Sequence, residues 1–261
     1  MRIALVSLNQ VWENKKENLA ECERFIAMAM KYGTDLIIFP EMTLTGYSME
    51  IEIISEIFDN SMTLRNFRIL AIRYNVAILF GVALEKEKKV TNNAVFIDTD
   101  GAILGNYAKI HPFGFSGEDK LFYSGDEICT VKYGDAQIGL SICYDLRFPE
   151  LFVSLSSNCQ TIVNIASWPE KRIHHWHTLL KARAVENQIF VIGVNRTGVD
   201  GVGIRYAESS LICNPNGECL IPIEVHGELK LYEVSLSEIE SFRSEFYSRE
   251  DRKPEIYHKI S

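Results

Sequence analysis

Short apolar runs rich in Ile and Val alternate along this chain with longer amphipathic stretches, and the two periods predict its elements. Strands are expected at 2–8 (RIALVSL), 35–39 (DLIIF), 76–84 (VAILFGVAL), 93–98 (NAVFID) and 102–110 (AILGNYAKI). A second group follows at 136–142 (AQIGLSI), 160–166 (QTIVNIA), 189–195 (IFVIGVN), 209–214 (SSLICN) and 229–234 (LKLYEV). Helices are expected at 14–32, 61–74, 147–157, 174–187 and 236–246. Several strands run without alternation, as they do when both faces of a sheet are covered. Strand–helix–strand units mix with hairpins such as 93–110, where DTDG at 98–101 supplies the turn. The order predicts a layered α/β protein with at least one mixed sheet. No repeat or low-complexity linker divides residues 1–261, so they read as a single domain. The tail from Glu245, EFYSREDRKPEIYH, is polar with scattered aromatics and is expected to pack at a subunit interface rather than extend a core.

Three strand ends carry chemistry. GLSICYDLRFPE (139–150) ends an apolar run in Cys143, and a charged, helix-like segment starts at once. Ligands in α/β proteins gather at the carboxyl edge of a sheet. The backbone N–H groups at a helix start favour a thiolate, which is the nucleophilic form. On position alone, a buried structural cysteine is the alternative. Glu41 follows the run that Pro40 terminates, and Lys109 ends another apolar segment. A carboxylate whose pKa is raised by burial can take the thiol proton. A lysine and the Tyr144 backbone N–H can stabilise an oxyanion. Singly, Glu41 and Lys109 would read as surface charges.

Composition narrows the partners. The 261 residues carry a formal net charge of -8, which argues against nucleic acid but leaves room for a local cationic pocket. MRIALVSLNQ reads as a strand rather than a signal peptide, and no segment has the length to span a bilayer, so no membrane partner is expected. Of the six cysteines, Cys22, Cys129, Cys159, Cys213 and Cys219 read as structural. None forms a CxxC pair or a zinc spacing, and a cytoplasmic protein with reduced thiols is expected.

The blocks FPEMTLTGY (39–47), YAKIHPF (107–113) and ICYDLRFPELF (142–152) resemble the three signature segments of the carbon–nitrogen hydrolase (nitrilase) superfamily. HHWHTLLKARAVENQIFVIGVNRTG (174–198) and NPNGE (214–218) are similar to it too, so the resemblance covers about 2–235. It implies a four-layer α-β-β-α sandwich of the nitrilase type with two mixed sheets, dimerising through its outer helices. It implies a catalytic Glu41, Lys109 and Cys143, with Glu118 orienting the lysine and the substrate. Without the resemblance, Glu118 reads as a solvated loop charge. No metal or organic cofactor is implied, and a homodimer or larger homo-oligomer is expected.

CYDLRFPE is similar to the amidase branches, omega-amidase-like proteins above all; true nitrilases carry Trp-Glu where this chain has Tyr144-Asp145. The implied substrate is a small amide with a far carboxylate, such as 2-oxoglutaramate or 2-oxosuccinamate, cleaved through a thioester. Aliphatic amides and N-carbamoyl amino acids are the alternatives. Arg172 is the candidate grip on that carboxylate. Tyr144 and Trp168 are candidate pocket walls, and Arg147 is expected to brace the helix or pair with Asp145 or Glu150. The loop at 111–126 departs from the family pattern and is expected to shape the mouth; Ser209-Ser210 departs too, which would alter specificity if that position helps build the pocket or interface. Competing readings are a Cys–His hydrolase with His111 as base and a non-catalytic scaffold. A metal site on His174, His177 and Glu170 is weaker, and GVDGVG (198–203) reads as a flexible loop rather than a phosphate loop.

Overall fold

A computed structural model describes residues 1–257. The first half of the chain comprises β1 (Arg2–Val6), α1 (Lys15–Ala29), β2 (Leu36–Ile38), α2 (Ile51–Ile54), β3 (Glu56–Ile57), α3 (Met62–Tyr74), β4 (Ala77–Lys86), β5 (Lys89–Ile97) and β6 (Ile103–Ala108). The middle contributes β7 (Thr130–Tyr133), β8 (Ala136–Ile142), α4 (Pro149–Ser156), β9 (Thr161–Ala166), α5 (Ile173–Asn187) and β10 (Phe190–Asn195). It ends with β11 (Gly198–Val199), β12 (Arg205–Tyr206), β13 (Leu211–Cys213), β14 (Glu224–His226), β15 (Leu229–Glu233), α6 (Ser237–Glu245) and α7 (Pro254–Tyr257).

Two mixed sheets stack face to face. The larger runs β14-β15-β1-β2-β4-β5-β6, with β3 beside β4; β1, β2 and β4 are parallel and the outer strands antiparallel. The smaller runs β13-β10-β9-β8-β7, with β8, β9 and β10 parallel. Three apolar cores make the layering explicit. Between the sheets, Ile3, Leu5, Ile38 and Leu79 meet Ile138, Leu140, Ile165 and Ile192. Outside the larger sheet, Phe25, Ile26, Phe67 and Leu70 of α1 and α3 cover Ile37, Ile78 and Phe80. Outside the smaller sheet, Phe152, Leu155, Trp176 and Leu180 of α4 and α5 cover Ile162 and Val191. Strands packed on both faces need apolar residues at consecutive positions, hence the unbroken runs of β1, β2, β9 and β10. The expected α-β-β-α sandwich is the observed one.

Two element boundaries differ from the sequence reading in ways that touch the site. β5 starts at Lys89, earlier than expected, because Glu87 and Lys88 both adopt positive φ (53° and 63°) and close a two-residue hairpin with Lys86 opposite Lys89. That turn type favours Asn-Gly, so a Glu-Lys pair gave no sign of it. The helix expected from 147 begins instead at Pro149. Proline suits the first helical position and forces the residue before it, Phe148, to stay extended (φ −105°, ψ 97°). A 3₁₀ turn, Cys143–Arg147, bridges β8 to α4.

The tail lies on the chain's own helices as far as Arg252. Gln188 Nε2 donates to the Phe246 carbonyl at 2.6 Å, and Arg252 Nη2 donates to the Glu186 carbonyl at 2.6 Å. Phe246, Ile256 and Tyr257 remain exposed on that surface.

Candidate active site

The end of β2 sets the first functional group. Pro40 stops the strand, and the turn after it is clipped by Gln10, whose Nε2 reaches the carbonyls of Glu41, Met42 and Thr43 at 2.9, 2.9 and 3.2 Å. Met42 takes φ +46°, and the neighbouring strand must come very close. Gly81 of β4 permits this, since a Cβ there would lie 2.3 Å from the Met42 nitrogen. Lys109 follows β6, tied to β5 by its N–H to the Asn92 carbonyl at 2.8 Å. Glu118 sits on a 3₁₀ turn of the 111–126 loop and points inward.

Glu41, Lys109 and Glu118 are 0%, 1% and 0% exposed, so none is the surface charge that its position alone suggested. Lys109 Nζ lies 3.1 Å from Glu41 Oε1 and 2.8 Å from Glu118 Oε2. Asn92 Nδ2 ties the two carboxylates together, donating to Glu41 Oε1 at 2.8 Å and to Glu118 Oε1 at 3.0 Å. Glu118 Oε2 also accepts from Tyr47 Oη at 2.9 Å and the Phe113 N–H at 2.6 Å. Glu41 Oε2 accepts from the Ser167 N–H at 2.8 Å.

These environments push the carboxyls apart. Burial raises Glu41 above the ordinary glutamate value, with Lys109 opposing and Glu118 adding to the rise. Glu118 is equally dry, but Lys109 and the donors Asn92 and Phe113 outweigh burial and hold it low. Burial also disfavours the Lys109 ammonium, yet Glu41 and Glu118 keep it charged, well above the usual lysine value.

Cys143 ends β8 with φ +44°, a conformation that costs a non-glycine residue energy and turns its side chain out of the strand line. Its Sγ is 4.0 Å from the Ser167 carbonyl oxygen. Ser167 thus touches both the thiol and Glu41. Burial, then the Glu41 charge, pushes the Cys143 thiol well above its ordinary value, with Lys109 opposing. The local backbone therefore does not favour a thiolate in the way the junction's position suggested. The α-helix starts only at Pro149, beyond the reach of its terminal charge, and the nearest ionised groups are mostly carboxylates.

A cavity of about 530 Å³ opens over Cys143. Tyr144 and Trp168 form its walls, as expected, joined by Phe113, Phe115 and Tyr206. Asn195 clamps Trp168, its side chain pairing with the Trp168 N–H at 2.7 Å and carbonyl at 3.0 Å. Arg172 reaches the cavity too, its guanidinium 5.6 Å from the Phe113 ring centroid. Arg147 also faces the cavity, 4.8 Å over the Trp168 ring, instead of pairing with Asp145 or Glu150. Asp145 has no capacity left for it. It accepts from Tyr107 Oη (2.8 Å), Ile142 N (2.9 Å), His111 N (3.1 Å) and His111 Nδ1 (2.7 Å). His111 is thereby fixed, stacked on Phe148 at 3.7 Å. Arg147, Lys171, Arg172 and Arg205 line the cavity against a single acid, Glu170, a cationic mouth on an acidic protein.

Two other segments behave differently from the sequence reading. The 198–203 glycine stretch belongs to a short β11–β12 hairpin. Asp200 orders it by accepting from the Val202 and Ile204 N–H groups at 3.0 and 2.8 Å and from Tyr206 Oη at 2.8 Å. Ser209 and Ser210 are buried away from the cavity, where Ser210 Oγ joins Ser7 Oγ at 2.6 Å and the Asn195 N–H at 3.0 Å. Among the described residues, no three His, Cys, Asp or Glu side chains group as a metal site, and no helix is long and apolar enough to cross a membrane.

Sequence reasoning missed Asn92, Tyr47 and Ser167. Only Asn92 left a signal, since a polar Asn-Asn pair is out of place in an apolar strand.

A model of the carbon–nitrogen hydrolase family matches residues 2–244. The chain belongs to the carbon–nitrogen hydrolase family. The Escherichia coli omega-amidase YafV is 31% identical to this carbon–nitrogen hydrolase over 96% of both chains. A 2-oxoglutaramate amidase of Paenarthrobacter nicotinovorans is 40% identical over 64% of this chain and 58% of its own length. A carbon–nitrogen hydrolase superfamily protein of Xanthomonas campestris, with an arsenic adduct in its active site, superposes with a TM-score of 0.90 over 97% of each chain at 29% identity.

Proposed function

We propose that this carbon–nitrogen hydrolase releases ammonia from the terminal amide of a small, carboxylate-bearing substrate, in the manner of an omega-amidase. The reading rests on one polarity: a thiol backed by two buried carboxylates and a lysine, in a cavity lined also by four cations and one acid. An amide placed at Cys143 leaves its far carboxylate among Arg147 and Arg172, where a guanidinium grips it in bidentate fashion. The relatives named for omega-amidase and 2-oxoglutaramate amidase activity support the same substrate class.

Glu41 takes the thiol proton as Sγ attacks the amide carbon. Lys109 and the Tyr144 backbone N–H stabilise the oxyanion, an effect of about 3 kcal/mol per donor. Protonated Glu41 then gives its proton to the departing ammonia, and water hydrolyses the thioester with Glu41 again as base. Glu118, held ionised, keeps Lys109 charged and in place. The six unpaired cysteines suit a reducing cytoplasm, and we expect a homodimer.

Ammonia release would be measured across 2-oxoglutaramate, 2-oxosuccinamate, simple aliphatic amides, N-carbamoyl amino acids and nitriles. The 2-oxo acid amides should give the highest kcat/KM, and Cys143→Ala should abolish turnover. Preference for neutral amides would overturn the substrate reading, and a turnover that survives Cys143→Ala would overturn the mechanism.

A further inference from the structure

Away from the cavity, the fold sets two thiols opposite each other. β13 forms the edge of the smaller sheet, and the chain reverses at Asn214–Gly217, where the Gly217 N–H returns to the Asn214 carbonyl at 2.8 Å and Gly217 takes φ +78°. On the return, Cys219 pairs antiparallel with Cys213. The flanking hydrogen bonds define the pair. Asn214 N–H donates to the Glu218 carbonyl at 2.9 Å, and Leu220 N–H donates to the Ile212 carbonyl at 2.8 Å. Pairs 214/218 and 212/220 therefore carry one ladder bond each, and 213/219 is the non-bonded pair between them.

That register matters because non-bonded antiparallel pairs bring Cα atoms to about 4.5 Å, with both side chains on one face. A disulfide spans Cα separations of roughly 4.4–6.8 Å. The two thiols differ in access, Cys213 being fully buried and Cys219 exposed. Burial, reinforced by the neighbouring Cys219, pushes the Cys213 thiol up to about 12.

We propose that Cys213 and Cys219 form a redox pair that a low-molecular-weight organic disulfide closes into an intrachain disulfide. The exposed Cys219 thiolate attacks one sulfur of that disulfide, forming a mixed disulfide and expelling one thiolate. Cys213 then loses its proton and attacks the Cys219 sulfur, expelling the second thiolate. The protein gives up two electrons and two protons, and the organic disulfide becomes two thiols. The second step waits on a buried, weakly acidic thiol, so its rate rises with pH. Closure staples a turn already seated on α5, where a Cβ on Gly217 would lie 2.5 Å from Val185 Cγ2.

The test treats the full chain with excess glutathione disulfide, unfolds it in iodoacetamide, and maps its peptides by mass. The expected product has four alkylated cysteines of the six and a 213–219 crosslink that dithiothreitol reverses. Cys219→Ser, an exposed and conservative change, should yield no crosslink, and Cys213→Ser should stop with one glutathione on residue 219. Decay of that mixed disulfide in the unaltered chain should quicken with pH. A stable glutathione adduct on Cys219 beside an alkylated Cys213 would overturn the proposal, as would a crosslink through Cys129, Cys143 or Cys159.

Discussion

Asn92→Leu tests the assignment of Glu41 as the proton carrier. The substitution keeps the branched shape of the asparagine side chain, with bulkier methyl groups, and removes the one neutral donor shared by Glu41 and Glu118. Its hydrogen bond is among the forces that pull Glu41 down against burial, so Glu41 should rise further when it is lost. A hydrogen bond to a charged group is worth about 1.5–3 kcal/mol, and one pKa unit is about 1.4 kcal/mol. The rise is then about 1–2 units. The base form of Glu41 is required for attack, so the acid limb of kcat/KM against pH should move up by that amount. Below both limbs the variant should lose about 10–100-fold, while well above them the loss should be small. The limb belongs to the coupled Glu41–Glu118 pair, so both profiles must be fitted with the same two-proton scheme. The assay is ammonia release at saturating and limiting substrate across the acid range. A kcat/KM that falls by a constant factor at every pH, with the limb unmoved, would refute the reasoning and leave Asn92 a packing residue.

Other perturbations separate the remaining roles. Lys109→Met leaves two buried carboxylates facing each other and should cost about 3–5 kcal/mol near neutral pH by denaturant titration. Without the ammonium, burial raises both carboxyls above their unfolded values; the folded state then binds more protons, so the lost stability should return as pH falls. Gly81→Ala sets a Cβ 2.3 Å from the Met42 nitrogen and must displace the Glu41 turn, so kcat should fall by at least an order of magnitude while KM changes less. Arg147→Gln and Arg172→Gln should each raise KM for a 2-oxo acid amide about 10–100-fold and leave a neutral amide nearly unaffected, a contrast read from paired steady-state assays.

The fold was legible because its strands are buried on both faces, and burial writes itself as unbroken Ile/Val runs that need no knowledge of the partner strand. Glu41, Lys109 and Cys143 stood out because each interrupts or ends such a run, but position alone left them as surface charges or a structural cysteine, and it was the resemblance to a family that grouped them. Asn92 and Arg147 escaped for opposite reasons. Asn92 lies where the Glu87-Lys88 turn started β5 earlier than its composition suggested, so its inward direction was hidden. Arg147 was matched to the nearest carboxylates in sequence, yet Asp145 is saturated by the neighbouring Ile142 N–H and by Tyr107 and His111, which tertiary structure brings to it. Local spacing identifies possible partners, but competition among donors that meet only in the fold decides between them.

The same competition bears on the Cys143 thiol, which burial and the Glu41 charge push above its ordinary value. Two carboxylates and one ammonium leave a net negative charge in a dry space, and a thiolate beside it would add a second. On the proposed mechanism, therefore, sulfur is activated by proton transfer rather than by a resting low-pKa thiolate. The arrangement instead keeps the proton near two acceptors of different strength. Glu118 is held ionised by more donors than Glu41 and has no reason to take it, whereas Glu41, raised by burial and linked to the thiol's neighbour Ser167, is matched to a group of weak acidity. On the proposed mechanism, Glu41 takes the thiol proton as Sγ attacks the amide carbon and holds it for the departing ammonia. On that mechanism the sulfur need not rest as a thiolate, and the positive φ of Cys143 turns its side chain out of the strand line.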